Sequence, residues 1–144
     1  MKKLLISACL LGEACRYDGK SKPDFNVQQL AQKYELIPVC PEVLGGLPIP
    51  REPSEIVGNR VIMVNGNDVT VEYKKGAERT LDICTQNGCR IAILKSRSPS
   101  CGKGYVYDGT YTKTLTVGNG ITTELLLKNG ITVLNETEIE KLDL

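Results

Sequence analysis

The sequence predicts one α/β domain in which helices cover a mostly parallel, Rossmann-like sheet, giving three layers. Short apolar runs alternate along the chain with segments of helical periodicity, and turn residues separate them. This alternation is typical of βαβ units, whose strands run parallel. The chain has 144 residues, the usual size of one domain, so we expect a single domain over residues 1–144.

Four short apolar runs predict the strands of this sheet, over residues 4–8, 35–39, 91–94 and 131–134. They lack a regular polar alternation, which is typical of strands buried on both faces. Helical spacing predicts one helix from Asn26 and another over residues 121–128. A last helix is predicted from Asn135, because Asn135 and Glu138 form a capping-box-like pattern.

The segment from Arg60 to Tyr73 fits two structures. Asn65-Gly66 lies between two β-branched runs, which is a strong hairpin signal. Apolar residues from Val69 to Cys84 instead keep helical spacing as far as Asn87-Gly88, a pattern that ends helices. We favour one short strand followed by a helix from about Val69.

Two segments rich in Gly, Pro or Ser predict loops. Residues 43–59 read as one long surface loop, of a length that is usually functional. Arg51 lies in it and could bind an anionic group, although a solvated arginine is the simpler interpretation. Residues 95–104 follow a buried strand and combine hydroxyls, one thiol and two glycines, which is how open α/β sheets build sites. The aromatic segment 105–111 predicts irregular structure.

Composition excludes several kinds of site. The net charge is +1 and the charges are mixed, so we expect no extended nucleic-acid-binding surface. The chain has no histidine, which excludes a Ser-His-Asp triad, a Cys-His dyad and any His-ligated metal. Acid–base chemistry must therefore come from carboxylates, Lys, Tyr or Cys.

The N-terminal residues are relevant to the cellular compartment of the protein, because they partly match a secretion signal. Two lysines, an apolar run and Cys9 superficially resemble a lipoprotein signal. The apolar run covers only residues 4–8, shorter than the roughly 7–15 residues of a signal core, and no later segment is long enough to span a bilayer. We therefore expect a cytoplasmic protein without a membrane partner, in which cysteines serve metal binding or catalysis more often than disulfides.

Three cysteines, Cys9, Cys40 and Cys101, each follow the C-terminal end of a predicted strand. Parallel strands end at one edge of the sheet, which is where open α/β sheets bind ligands. Three thiolates without histidine suit a soft metal centre, and iron–sulfur clusters take thiolate ligands. Three protein ligands leave one iron of a [4Fe-4S] cluster open, and an open iron is a Lewis acid.

Other interpretations of these residues stay open. The cysteines could be unconnected buried thiols, since free cysteine is among the most buried residue types. A structural zinc site could use Cys15 as a fourth ligand, although C-x-x-C pairs are absent. A thiol redox protein could use Cys9 and Cys15. A binding module without catalysis could hold an anion where Gly118-Asn119-Gly120 precedes a helix.

Seven short motifs resemble those of the thiouracil desulfurase (TudS-like) family, long catalogued only as a bacterial domain of unknown function. They are Cys9-Leu10-Leu11-Gly12, Cys15-Arg16-Tyr17-Asp18-Gly19, Pro38-Val39-Cys40-Pro41-Glu42, Gly45-Gly46-Leu47-Pro48, Ala92-Ile93-Leu94-Lys95, Ser98-Pro99-Ser100-Cys101-Gly102 and Tyr107-Asp108-Gly109-Thr110. The resemblance covers nearly the whole chain, which makes residues 1–144 one TudS-like domain. The motifs are specific together, whereas none is specific alone.

The resemblance implies a [4Fe-4S] cluster held by three cysteines. Cys9, Cys40 and Cys101 match as ligands, and the choice of Cys9 over Cys15 rests on its position at a strand end. The implied activity is redox-neutral removal of sulfur from 2-thiouracil or a related thionucleobase. The resemblance implies that related proteins acting on thiolated nucleotides or transfer RNA have an added domain. For this chain we therefore expect a small thiolated pyrimidine as substrate.

The resemblance also implies an acidic residue and a serine near the cluster, which Glu42 and Ser98 match. We expect the open iron to act as Lewis acid for the thiocarbonyl sulfur, while Glu42 as general base activates a water that attacks the attached carbon. Ser98 or Ser100 could hold the substrate or relay a proton. Ser100 and Arg51 are the predicted substrate-binding residues.

Overall fold

The computed structural model describes residues 1–142. Its elements, in chain order, are β1 (Lys2–Ser7), a 3-10 turn (Ala8–Leu11), α1 (Phe25–Gln28), a 3-10 turn (Gln29–Gln32), β2 (Tyr34–Val39), α2 (Pro41–Leu44), β3 (Ser54–Val57), β4 (Arg60–Met63), α3 (Thr70–Gln86), β5 (Ile91–Leu94), β6 (Tyr105–Tyr107), β7 (Leu115–Val117), α4 (Ile121–Lys128), β8 (Thr132–Asn135) and a 3-10 turn (Ile139–Lys141). None of the helices in this described part is long and apolar enough to cross a membrane.

Four strands form a parallel sheet in the order β2-β1-β5-β8. Strand β1 is central because its apolar residues tolerate burial on both faces, and Leu4, Leu5 and Ile6 are all inaccessible to solvent. Leu4 and Ile6 pack towards α1, whereas Leu5 packs towards α3 and α4. Helices on both faces of a parallel sheet confirm the predicted three-layer α/β fold.

The segment predicted as one long surface loop, residues 43–59, contains two elements that the sequence reading missed. Helix α2 ends at Leu44, and β3 pairs with β4 as an antiparallel hairpin. A second antiparallel hairpin, β6-β7, replaces the irregular structure predicted for residues 105–111. Short elements of this kind depend on tertiary partners more than on local periodicity, which explains both errors.

The segment from Arg60 to Tyr73 forms the favoured structure, one strand followed by a long helix. Asn65-Gly66 makes a tight turn that leaves only an isolated bridge between Ile62 and Asp68. The Asp68 carboxylate accepts the Thr70 N–H at 2.9 Å across Val69, the N-cap residue, and α3 follows instead of a second strand.

The last predicted helix is wrong in length. The capping box forms, because Glu138 Oε1 accepts the Asn135 N–H at 3.1 Å and Asn135 Oδ1 accepts the Thr137 N–H at 2.8 Å. Only the 3-10 turn follows within the described residues. Leu142 then takes an extended backbone conformation and packs into the core at 7% exposure, and this burial draws the chain away from a helical path.

Two glycines bring α2 and α3 into backbone contact. A Cβ on Gly76 would lie 1.9 Å from the Pro41 carbonyl oxygen, and one on Gly45 would lie 2.0 Å from the Glu72 carbonyl oxygen. Any other residue at either position would clash with backbone. Helix α2 has only four residues and cannot be stable alone, so this contact with the long α3 fixes its position.

Candidate active site

The C-terminal ends of β1, β2 and β5 open into one cavity of about 420 Å³. Its wall includes four of the six cysteines, Cys9, Cys15, Cys40 and Cys101, whereas Cys84 and Cys89 pack in the core below the sheet edge. The other lining residues are Ser7, Ala8, Arg16, Tyr17, Lys22, Val39, Pro41, Glu42, Arg51, Pro53, Ser54, Glu55, Val64, Tyr73, Lys95, Ser96, Arg97, Ser98, Pro99, Tyr107, Tyr111 and Lys113.

The local backbone brings each of the three strand-end cysteines to this cavity. Cys9 lies in the 3-10 turn that follows β1, and Cys40 is the N-cap of α2 directly after β2. Cys101 lies in the loop after β5, where its backbone N–H donates to Ser98 Oγ at 3.1 Å. The expectation that the three residues meet at one edge of the sheet therefore agrees with their positions.

Cys15 lies among these thiols as well. The Cys40 thiol donates to the Cys15 carbonyl oxygen at 3.6 Å, so the loop that carries Cys15 is tied to the end of β2. A hydrogen bond from Cys40 lowers the pKa of Cys15, but a hydrogen bond with Cys9 and burial outweigh it and raise the pKa to about 11. Position alone thus does not separate Cys9 from Cys15.

The pKa values of Cys40 and Cys101 are both raised, for different main reasons. The hydrogen bond with Cys15 and burial both raise the pKa of Cys40. Burial raises the pKa of Cys101 well above its ordinary value, and hydrogen bonds from the Ser7 and Ser100 hydroxyls oppose this shift. These thiols are therefore neutral until a positive centre stabilises their thiolates.

The thiols around the cavity form a donor set of the kind that holds an iron–sulfur cluster. Among residues 1–142 no group of three or more Cys, Asp or Glu side chains is arranged to hold one metal ion. A [4Fe-4S] cluster bonds each cysteine to a different iron, so its thiols surround a space and need not converge on a point. Four thiols around one cavity fit that requirement.

Glu42 lies in the first turn of α2 and faces Arg51. Arg51 Nη2 is 3.4 Å from Glu42 Oε2, and the two side chains are 3% and 14% exposed, respectively. Burial raises the pKa of the Glu42 carboxyl, and the Arg51 charge opposes that rise. Glu42 is therefore more basic than an exposed glutamate, as a general base requires.

Arg51 is held by the protein and is not solvated. Its Nη1 donates to the carbonyl oxygens of Cys15 and Pro48, each at 3.2 Å, in addition to its pairing with Glu42. These contacts join the Cys15 loop, α2 and the segment before β3. Arg51 lines the cavity, but its guanidinium already donates hydrogen bonds to protein atoms. A role of Arg51 in substrate binding therefore stays a prediction.

The two candidate serines differ in position. Ser98 Oγ lines the cavity and accepts the N–H groups of Ser100 and Cys101 at 3.0 and 3.1 Å, which leaves its own hydrogen free to donate. Ser100 is inaccessible to solvent, and its hydroxyl bonds that of Thr122 at 2.7 Å. The structure therefore brings Ser98 to the cavity and leaves Ser100 behind its wall, so the substrate-binding role predicted for Ser100 has no support from its position.

Several cavity residues were missed from the sequence. Tyr73 is 3% exposed on α3, and burial together with the Glu42 charge raises its pKa. Tyr73 belongs to the apolar stripe with helical spacing between Val69 and Cys84, and periodicity does not distinguish a core from a cavity wall. Glu55, Tyr107 and Tyr111 also reach the cavity, from the two hairpins. The aromatic run near residues 105–111 was the only sequence signal for this wall.

Comparison with known proteins indicates one family. A family model described as 2-thiouracil desulfurase matches residues 4–138. The chain is 36% identical over 146 residues to the uncharacterized protein YbbK of Bacillus subtilis (strain 168), covering 94% of this chain and 97% of that protein. It is 43% identical to a solved [4Fe-4S]-dependent thiouracil desulfidase, TudS, with a TM-score of 0.93 over 99% of this chain and 95% of the other.

Proposed function

The chain belongs to the 2-thiouracil desulfurase family, and we propose from this membership that it removes sulfur from a 2-thiouracil-like nucleobase by means of a [4Fe-4S] cluster. The observation that supports this most is the cavity lined by Cys9, Cys15, Cys40 and Cys101 at the sheet edge. Its volume of about 420 Å³ lies in the range of small-molecule sites. A free thiolated pyrimidine is therefore the proposed substrate.

Cys9, Cys40 and Cys101 are the proposed ligands, because they follow the ends of three neighbouring strands of a rigid parallel sheet. These residues would hold a cluster with three protein ligands, which would supply Lewis-acid chemistry at the thiocarbonyl group. Cys15 lies on a loop between the 3-10 turn after β1 and α1 and is the alternative to Cys9.

The residues of the chain supply the proton transfers in this proposal. Glu42 accepts a proton from the water that attacks the carbon bearing sulfur, and its raised pKa favours that acceptance. The water oxygen replaces sulfur, which leaves as hydrosulfide. Glu42 then returns its proton to the departing sulfur or to the product, so no external oxidant or reductant is required. Ser98 donates its free O–H to the substrate.

Changing Glu42 to Gln tests the proposed base. The variant keeps the size of the side chain and a hydrogen bond to Arg51 but cannot accept the proton. We expect it to retain the cluster absorption spectrum and to lose turnover of 2-thiouracil by roughly 10²–10⁴-fold. Glu78→Gln, at an exposed position on α3, serves as the matched control. Turnover of Glu42→Gln at the unmodified rate would place the base elsewhere.

Serine substitutions of single cysteines test the ligand assignment. After anaerobic purification we expect the unmodified protein to be brown and to contain iron and sulfide. Cys9→Ser and Cys101→Ser should lose iron and activity together, because a hydroxyl is a poor ligand for a soft centre. Cys15→Ser should keep its iron. If Cys9→Ser kept its iron and Cys15→Ser lost it, Cys15 would be the ligand in place of Cys9. A colourless protein that contains zinc would contradict the proposed cofactor.

The position of Cys9 and Cys15 in one cavity wall supports a second candidate function, a redox dithiol. A metal-free protein whose two thiols oxidise reversibly would favour this function over desulfuration. Thiol counting before and after mild oxidation of the anaerobically purified protein decides between the two.

A further inference from the structure

Glu55 is a buried carboxylate without a basic partner. The residue is 7% exposed on β3, and none of the ion pairs among residues 1–142 includes it. A buried charge without a counter-ion is unfavourable unless hydrogen bonds stabilise it. Glu55 Oε1 accepts two backbone N–H groups, from Gly109 at 2.9 Å and from Tyr111 at 3.1 Å.

These two bonds hold the connection between β6 and β7 against the β3-β4 hairpin. Gly109 has φ +89°, and a Cβ there would lie 2.7 Å from the Ile56 carbonyl oxygen, so the connection is pressed onto β3. Tyr111 donates its phenolic O–H to the Ile62 carbonyl oxygen at 2.6 Å. As a result Tyr107 and Tyr111 form part of the same cavity wall as Glu55.

The second carboxylate oxygen of Glu55 has no such bond. Oε2 makes no hydrogen bond within the described residues and is not among their fully buried unsatisfied atoms, so it keeps accessible surface. Glu55 lines the cavity, so a ligand bound there would lie beside its carboxylate. Glu55 thus has one oxygen that accepts two backbone N–H groups and one that accepts no hydrogen bond from the described residues.

We propose that Glu55 is a specificity residue whose Oε2 accepts a ring N–H of the thiolated pyrimidine, while Oε1 orders the wall formed by Tyr107 and Tyr111. A 2-thiouracil ring carries an N–H on each side of its thiocarbonyl carbon, so an acceptor beside it selects rings with that donor. A site built to hydrogen-bond a substrate group discriminates strongly against analogues that lack the group. This inference rests on the proposed function, and it extends that function to the recognised edge of the ring.

Glu55→Gln separates the two roles of the side chain. In this variant the amide oxygen can still accept the two backbone N–H groups, and these bonds orient the amide. The amide nitrogen then replaces Oε2, so an N–H donor of the protein faces the ring N–H donor of the pyrimidine. We expect the Kd of the product uracil, measured by calorimetry, to rise roughly 10–100-fold. The KM for 2-thiouracil should rise similarly, while kcat, iron content and melting temperature stay close to the unmodified values. Glu52→Gln, at an exposed neighbouring position outside the cavity wall, is the control.

N-methylated substrates provide the second measurement. The unmodified enzyme should discriminate against 1-methyl- or 3-methyl-2-thiouracil, and Glu55→Gln should lose most of that discrimination. If Glu55→Gln bound uracil and discriminated against the N-methylated substrates as the unmodified protein does, the proposal would be overturned. Equal binding of both methyl analogues and 2-thiouracil to the unmodified protein would overturn it without any variant. An unmodified protein that binds uracil but leaves 2-thiouracil intact would contradict the proposed function and not the role of Glu55.

Discussion

Glu138 connects the last part of the described chain to the loop that carries Cys101. Its carboxylate completes the capping box at Asn135 and also accepts from Lys103 Nζ at 2.9 Å and Lys141 Nζ at 2.9 Å. Lys103 belongs to the loop after β5, two residues beyond Cys101. One side chain at the end of β8 therefore restrains the loop that presents a proposed ligand.

The ionisation of Glu138 predicts a pH-dependent contribution to stability. Burial alone raises its pKa, but hydrogen bonds from Lys141 and Lys103 outweigh burial and lower the pKa from 4.5 to about 2. A depressed pKa in the folded state stabilises the fold above the unfolded pKa, and the effect is lost as the pH falls through about 4.5 towards 2.

We expect Glu138→Gln to lower the free energy of unfolding of the cluster-free protein by about 1–2 kcal/mol at pH 7, and by much less near pH 3. Denaturant titrations at the two pH values measure this difference. Glu140→Gln, an exposed neighbour, should be neutral at both. The same loss for Glu138→Gln at pH 7 and at pH 3 would contradict the pKa shift.

Residue types could be predicted from the sequence, but their hydrogen-bond partners could not. Cys9 and Cys40 follow strand ends directly, so the strand pattern alone predicted their edge of the sheet. Cys101 lies several residues beyond β5, and its position depends on Ser98 and on Lys103. Ser100 was misjudged because a tight turn decides which serine faces the cavity, and periodicity carries no information about turns.

At the scale of elements, α2 depends on α3 for its place in the fold. It has four residues, carries Glu42 and has Cys40 as its N-cap, so its position decides where a proposed base and a proposed ligand lie. The sequence pattern predicts only a strand over residues 35–39, followed by Cys40 and Pro41. A helix this short has no detectable periodicity, and the glycines that seat it against α3 are far apart in the chain.

Gly76→Ala tests that dependence. The new Cβ would overlap the Pro41 carbonyl oxygen, so α2 must move. We expect a loss of roughly 1–3 kcal/mol in unfolding free energy from overpacking, which exceeds the ~1 kcal/mol that alanine gains over glycine in a helix. Iron occupancy and turnover should fall as well. Lys75→Ala, exposed on the same helix, should leave both unchanged, and a stabilised Gly76→Ala with full iron content would contradict the close contact.

For the whole molecule, the apolar pattern predicted the sheet and both covering layers, because buried strands and long helices have strong periodicity. The two hairpins were missed because the sequence does not show what they pack against. Strand β7 illustrates this, since Leu115 and Val117 are 39% and 80% exposed and give no sign of a buried face. Glu55 and Tyr111, which join the hairpins, lie 56 positions apart in the chain.

Cluster removal should destabilise the whole fold. A cluster that binds only the folded state adds its binding free energy to stability. We expect the cluster-loaded protein to melt at least ~5 °C above the cluster-free protein. Anaerobic calorimetry of the same preparation before and after iron chelation measures the shift. Cys15→Ser should show the same shift, and equal melting temperatures for the loaded and cluster-free forms would contradict a buried, fold-linked site.

The strand order has a consequence for biosynthesis. Strand β5 pairs with both β1 and β8, so the sheet that presents the loop with Cys101 is complete only after β8 has been translated. Cys9 and Cys40 leave the ribosome long before that, without their third partner. A nascent chain therefore offers no complete site for iron. The strand order therefore favours insertion of the proposed cluster after the sheet has formed.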